Sequence, residues 1–372
     1  MGELRDLTER LVSIPSHDDE TAAGDAIASW LREETDADVT RDDAGNVLAW
    51  RNRDADGDSL AFVGHHDVVP PDERQTEGGG GETAAGDYVV YEADGRLYGR
   101  GTADMKGADA AMLLAFRDAD TDGPLAFASF VGEETGGEGA RSAIDDGFAP
   151  DYAIVGEGST GYSDPGVLDV AVAHKGRRAS TVTAAGEAAH ASEVESGENA
   201  VYRACDAVDV IRGLDAPDAD VLGQHLSGSV AVTEIEGGTA WNVIPESCSV
   251  TVDERTVPGA RADLERVEGV AGVSWTVDQD LPPMACDDAG FADAVLDAAR
   301  VEQDGAGEHV AKPHATDAGW LSAAGTTCLV CGPAERGEAH TADESVSLAV
   351  LERCRRVYTD VAGAWSTAGR PR

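Results

Sequence analysis

Lysine is almost missing from this chain: Lys106, Lys175 and Lys312 are the only three in 372 residues. Arginine supplies the rest of a basic complement of 28 residues against 71 acidic ones, for a formal charge of −43. A surface so negative repels phosphate backbones and anionic headgroups, which argues against nucleic acid and membrane partners. Aromatics are sparse as well, at 5%, yet the apolar content of 42% is ordinary and its segments are periodic. The acid is therefore not a mark of disorder. It reads as adaptation to a high-salt cytoplasm, where counterions screen the self-repulsion, and the fold is expected to weaken at low salt.

Long apolar runs are absent too, and none approaches the roughly 20 residues that a membrane helix needs. The opening stretch MGELRDLTERLVSIPSHDDE lacks the basic segment and apolar core of a secretory signal. Leu4, Leu7 and Leu11 fall instead on one helical face. Six cysteines (Cys205, Cys248, Cys286, Cys328, Cys331, Cys354) scattered through so long a chain suit reduced thiols and a cytoplasmic location. Cys328 and Cys331 form a C-x-x-C in TTCLVCGP, but that stretch has the composition of a buried strand. Two core thiols explain it better than a redox or metal pair.

What is present is an alternation. Up to residue 175, helical and strand patterns follow one another: the opening helix, ADVTRDD and NVLAWRN, LAFVGHHD, the alanine-rich ADAAMLLAFRDA, PLAFASFVGEE and PDYAIVGEGS. Such alternation predicts a mostly parallel sheet covered by helices. The glycine-rich stretch 77–87 reads as a surface loop. Over 176–288 the order becomes β-α-β-β-α-β, the split pattern of a small ferredoxin-like α+β unit inserted into the first. From 289 to 372 the earlier alternation resumes, with GFADAVLDAARVEQ, the strand TTCLVCGP and a closing helix.

Carboxylates and imidazoles recur where the strands of the larger part end. VGHHD offers His65, His66 and Asp67; GTADMKG offers Asp104; FVGEETGG offers Glu133 and Glu134; IVGEGS offers Glu157; and AHTADES offers His340. Each has a bland reading by itself, Asp104 as a helix N-cap and the paired glutamates as a solvated turn. Their recurrence at five separate chain ends points to a metal site, because only a cation makes so many converging carboxylates inexpensive.

GHHDVVP, GRGTADMKG, GEETGGEGA, VGEGS and AHTADES, in this order, resemble the signatures of the co-catalytic zinc peptidase and deacylase family. That family includes acetylornithine deacetylase, succinyl-diaminopimelate desuccinylase, carrier-protein lysine/ornithine hydrolases and carboxypeptidases. The resemblance spans nearly the whole chain. It implies a zinc-peptidase-like mixed sheet with an inserted lid and dimerisation domain. It also implies two Zn2+ per subunit, with Co2+ or Mn2+ as substitutes. On the matching positions His65 and Glu157 would hold one ion, Glu134 and His340 the other, and Asp104 both. Asp67 would orient His65, Glu133 would be the general base, and His66 would pack in the core or support the ligands from behind.

In the insertion, GEAAHASEVESGENA resembles the lid motif whose histidine reaches into the partner's site. His190 is thus the implied oxyanion donor of a homodimer, while GGTAWNVIP and DERTVPG nominate Asn242 and Arg255 for the substrate's carboxylate. The implied substrate is a small N-acyl amino acid or short peptide. A dipeptidase, a carboxypeptidase, a carrier-linked hydrolase and a non-catalytic metal-binding dimer are the other readings. Two departures stand out. Glycine follows Glu157 where many relatives have proline, which is expected to loosen that loop. The segment after the first motif lacks the relatives' tryptophan and Pro-Phe, so it carries over no substrate preference.

Overall fold

The computed structural model describes residues 2–76 and 88–365, so the expected loop over 77–87 lies outside the described residues. The chain divides into two compact units. The smaller comprises His174–Pro283 and Pro313–Ala315, and the remainder forms the larger. The chain returns to the larger unit at Met284 rather than at 289, because Met284–Ala285 joins the end of its main sheet.

That sheet has nine strands. Eight run in the order Asp38–Arg41, Val47–Arg51, Leu125–Phe130, Leu60–His65, Tyr152–Val155, Thr327–Val330, Val170–His174, Met284–Ala285, and His309–Lys312 pairs with Val170–His174. The four strands from Leu125–Phe130 to Thr327–Val330 are parallel to one another. Asp38–Arg41, Val47–Arg51 and Val170–His174 pair antiparallel with their neighbours. The sheet is therefore mixed, with a parallel centre and an antiparallel first edge, since strands joined by a short turn, as the first two are, must run antiparallel.

Leu60–His65 and Leu125–Phe130 are buried along their whole length. Their alternation divides small from large side chains. Ala61, Val63, Ala126 and Ala128 share a core with Ala140 and Ala143 of the helix Glu138–Asp145 and with Ala318 and Leu321 of Asp317–Ala323. Phe62 and Phe127 instead meet Tyr358 and Phe116, with ring centroids 5.5 and 6.2 Å apart. The helix Lys106–Asp118 is buried from Lys106 to Phe116, packed against this sheet and the helix Leu348–Ala364. Its alanines suit a helix enclosed on almost every side.

The smaller unit has a four-stranded antiparallel sheet in the order Ser229–Gly237, Ser247–Arg255, Arg177–Ala185, Val273–Leu281. The helix Ala200–Arg212 buries Ala200, Ala204, Ala207 and Ile211 in the core it shares with this sheet. The second expected helix, in ARADLERVEGV, is only a 3-10 segment, Leu264–Gly269, that buries Leu264 and Val267. Glycines at 269 and 272 oppose its extension. The hairpin Asp218–Val221/Gln224–Ser227 is an addition that the periodicity did not reveal. No helix among the described residues is long and apolar enough to cross a membrane.

Candidate metal centre

Three adjacent parallel strands, Leu125–Phe130, Leu60–His65 and Tyr152–Val155, end on the same side of the sheet. His65 is the last residue of the middle strand, and the flanking strands lead into Glu133–Glu134 and Glu157. Convergence at the carboxyl ends of parallel strands is the usual location of a site in such sheets. Asp104 arrives from the turn before the helix Lys106–Asp118, across a cis peptide bond to Met105, and His340 from the loop before Ser345–Ser347.

The side chains meet in a specific pattern. His65 Nε2 lies 3.1 Å from Asp104 Oδ1 and 3.2 Å from Glu157 Oε1. His340 Nε2 lies 2.9 Å from the other Asp104 oxygen, Oδ2, and 3.0 Å from Glu134 Oε1. Asp104 therefore stands between two imidazoles, each with its own glutamate. Glu133 offers a carboxylate oxygen within 4.8 Å of ligand atoms of His65 and Glu157.

Four carboxylates in so small a space perturb one another. Burial alone would push His65 down, but hydrogen bonds to Asp104, Asp67 and Glu157 hold it well above the usual histidine range. Hydrogen bonds to Asp104 and Glu134 push His340 up to about 10. Asp104 is held low by the two imidazoles in spite of its burial. Glu133 is pushed well above the carboxylate range by burial, only partly offset by His65 and reinforced by the charges of Asp317, Glu157 and Asp104.

Nitrogen and oxygen donors converging in this way fit divalent cations, which bind the deprotonated forms of these groups. Zinc loading at neutral pH should accordingly release protons, and its apparent affinity should rise with pH while His340 still titrates. Calorimetry in buffers of different ionisation enthalpy reads that release. Uptake without it would mean that these imidazoles are not the ligands.

Neighbouring groups hold the donors in place. Asp67 accepts hydrogen bonds from the backbone N–H groups of Glu133 and Glu134, at 3.2 and 3.0 Å, while its Oδ1 is 3.3 Å from His65 Nδ1. One carboxylate thus ties the first histidine to the glutamate loop. Glu344, which the sequence reading passed over although it lies in AHTADES, performs the same task for Asp104. Its Oε1 accepts from the N–H groups of Gly101, Ala103 and Asp104 at 2.9 to 3.2 Å, and its other oxygen pairs with Arg100.

Asp317 was also missed. It is buried with neither oxygen bonded, and burial pushes it up to about 7. No local pattern announces it. His66 points away from the cluster, with Nδ1 2.9 Å from Ser129 Oγ, and burial lowers it to about 3, so it is neutral. Cys328 and Cys331 are buried free thiols that burial pushes well above the usual range.

Glycine after Glu157 does not loosen its loop. A Cβ at Gly158 would come within 2.8 Å of both the Cβ and the carbonyl oxygen of Ala334. The two loops are zipped by Ser159 N–H to Gly332 O at 3.1 Å and Thr160 N–H to Ala334 O at 3.2 Å. Gly158→Ala should force this backbone apart and destabilise the protein by about 1–3 kcal/mol, read as a fall in urea midpoint. An unchanged midpoint would contradict the close approach.

The remaining nominated residues belong to the smaller unit. His190 and Val243 pair across the short strands Ala189–His190 and Val243–Ile244, and Ala191 N–H bonds to the carbonyl of Asn242 at 2.9 Å. This brings His190 and Asn242 together. Ser192 N–H lies 3.2 Å and Ser192 Oγ 2.7 Å from His190 Nδ1, so one side of the ring is occupied by Ser192. Arg255 ends the strand Ser247–Arg255, its Nε 2.8 Å from Asp253 Oδ1.

Residues 61–364 match the family model described as Peptidase family M20/M25/M40. Acetylornithine deacetylase from Proteus mirabilis (strain HI4320) is 30% identical over 336 residues, which covers 84% of this chain and 80% of that protein. Solved structures share the fold, two of them as follows. Aminopeptidase PepT from Bacillus cereus ATCC 10987 superimposes with a TM-score of 0.76 at 18% identity, over 96% of this chain and 98% of that one. The M20 family metallo-carboxypeptidase Sso-CP2 from Sulfolobus solfataricus gives 0.72 at 16% identity, over 98% and 99%. The chain belongs to the M20/M25/M40 family of peptidases, and it is a hydrolase of amide bonds.

Proposed function

We propose that this protein hydrolyses the amide bond of a small N-acyl amino acid, as an acetylornithine deacetylase or succinyl-diaminopimelate desuccinylase does. The observation that supports this most is the position of Asp104, whose two oxygens face different imidazoles, with Glu133 close by, within 4.8 Å of the ligand atoms of His65 and Glu157. His65, Asp104 and Glu157 would hold one zinc ion, and Asp104, Glu134 and His340 a second. Cobalt or manganese could substitute. Two such ions supply a water of lowered pKa and a polarised carbonyl.

The chain's own residues then account for the proton. Glu133 accepts it from the attacking water and returns it to the amine as the carbon–nitrogen bond breaks, leaving a carboxylate and a free amine. The oxyanion formed on the way needs a donor, and His190 is the candidate, acting in trans within a homodimer. Asn242 and Arg255 would take the substrate's carboxylate, which at Arg255 must share the guanidinium with Asp253. A cytoplasmic location in a salt-rich cell fits the acidic composition.

Dipeptidase, carboxypeptidase and carrier-linked activities would use the same centre. The test is hydrolysis by the zinc-loaded protein in multimolar KCl, across N-acetylornithine, N-succinyl-diaminopimelate, other N-acetyl amino acids and simple dipeptides. Preferred cleavage of one acyl amino acid is the expected result. Cleavage of dipeptides alone would replace the deacylase reading with a peptidase, and silence on all of them would overturn the proposal.

A further inference from the structure

Cations are scarce in this chain, and two of them stand beside the donor cluster without belonging to it. Lys312, one of the three lysines, is only 6% exposed. Its Nζ lies 3.4 Å from Oε2 of Glu157, the oxygen that is not paired with His65. Arg336 is exposed, with its guanidinium carbon 5.1 Å above the ring of Tyr162. Among the described residues no carboxylate forms an ion pair with Arg336, and its neighbours Glu335 and Glu338 turn to Arg96. The half-buried Tyr162 phenol lies in the field of Lys312, Arg336 and Glu157 together.

The backbone explains why these groups are together. Tyr162 follows Glu157 on one loop and Arg336 precedes His340 on the other, and the two loops are the ones zipped through Gly158 and Ala334. A guanidinium stacked on an aromatic face keeps its N–H edges free and is suited to grip a carboxylate with two parallel hydrogen bonds. In a chain with 71 acidic residues, an arginine that pairs with no carboxylate among the described residues, on the loop that leads to His340, is where an incoming anion would find a partner.

We infer that Arg336, with Tyr162 and Lys312, forms a subsite for a carboxylate that the substrate carries away from the scissile amide. The enzyme then prefers substrates whose acyl group is dicarboxylic, or whose amino acid has an acidic side chain, over neutral isosteres. This deepens the hydrolase reading by naming a substrate class, and it rests on that reading for turnover but not for binding.

The binding test uses succinate and butyrate, which have the same chain length but differ by one carboxylate, titrated by calorimetry into the zinc-loaded protein. Both can place one carboxylate at the centre, so the difference between them reports the second. Succinate should bind at least about tenfold more tightly to the natural protein, and in Arg336→Gln the difference should shrink to about twofold. Equal binding of the two acids by the natural protein, or an undiminished preference in Arg336→Gln, would overturn the inference.

Hydrolysis separates the two sources of the carboxylate. N-succinyl is compared with N-butyryl on one amino acid, and N-acetylglutamate with N-acetylglutamine. The pair whose kcat/KM ratio falls in Arg336→Gln and recovers in part in Arg336→Lys identifies the side of the amide that carries the charge. If both ratios are unchanged, the inference fails. If no amide is cleaved, the hydrolase reading fails while the calorimetry still decides the subsite.

Discussion

Glu133→Ala should lower kcat by about 10²–10⁴-fold, the usual contribution of a positioned general base, and leave the metal content of the protein unchanged. The reason is geometric. Glu133 stands among the donors but outside both histidine pairings, so its loss takes away a proton acceptor and leaves each imidazole its carboxylates. The pH profile supplies an independent check. Only the carboxylate form accepts a proton, so kcat/KM should climb with pH as Glu133 ionises, and that limb should be lost in Glu133→Gln. Retained turnover in either variant would end the proposed role. A loss of metal along with activity would make Glu133 a ligand instead.

Asp104→Ala should have the larger effect on composition. One of its oxygens pairs with each histidine, so removing them affects both halves of the centre at once. Metal binding should weaken by more than the roughly 10–100-fold typical of losing an outer hydrogen-bond partner. Elemental analysis after gel filtration should find less than one zinc per chain. Asp104→Asn keeps the shape and removes the charge, and it should fail similarly. If that amide variant kept two ions and full activity, Asp104 would be no bridge.

Much of this centre could be read in the sequence because its donors are tied to elements that local pattern reveals. Apolar runs such as Leu60–Val63 and Leu125–Phe130 announce buried strands, and the residues just past them must emerge at strand ends. That rule brings out His65, His66, Asp67, Glu133, Glu134 and Glu157 alike, and only the resemblance to the zinc peptidase family chooses His65 over His66 and makes Asp104 more than a helix cap. The fold class was legible from the same apolar runs. The 3-10 segment at Leu264–Gly269 was read as a helix because its apolar spacing is helical while its length is set by flanking glycines. Gly158 was misread because its meaning lies in Ala334, far along the chain.

The sequence by itself therefore determined the kind of fold, the excess of negative charge and which donors gather at one edge of a sheet, since composition and short-range periodicity carry that information. Only the tertiary structure decided which oxygen of Asp104 meets which imidazole, that Glu344 anchors the Asp104 turn, that Asp317 is buried near the proposed base, and that Lys312 and Arg336 flank the same loop. Each of these is a contact between residues distant in the chain. No local pattern encodes such contacts, because they are fixed by how strands and loops pack once their apolar faces have been buried.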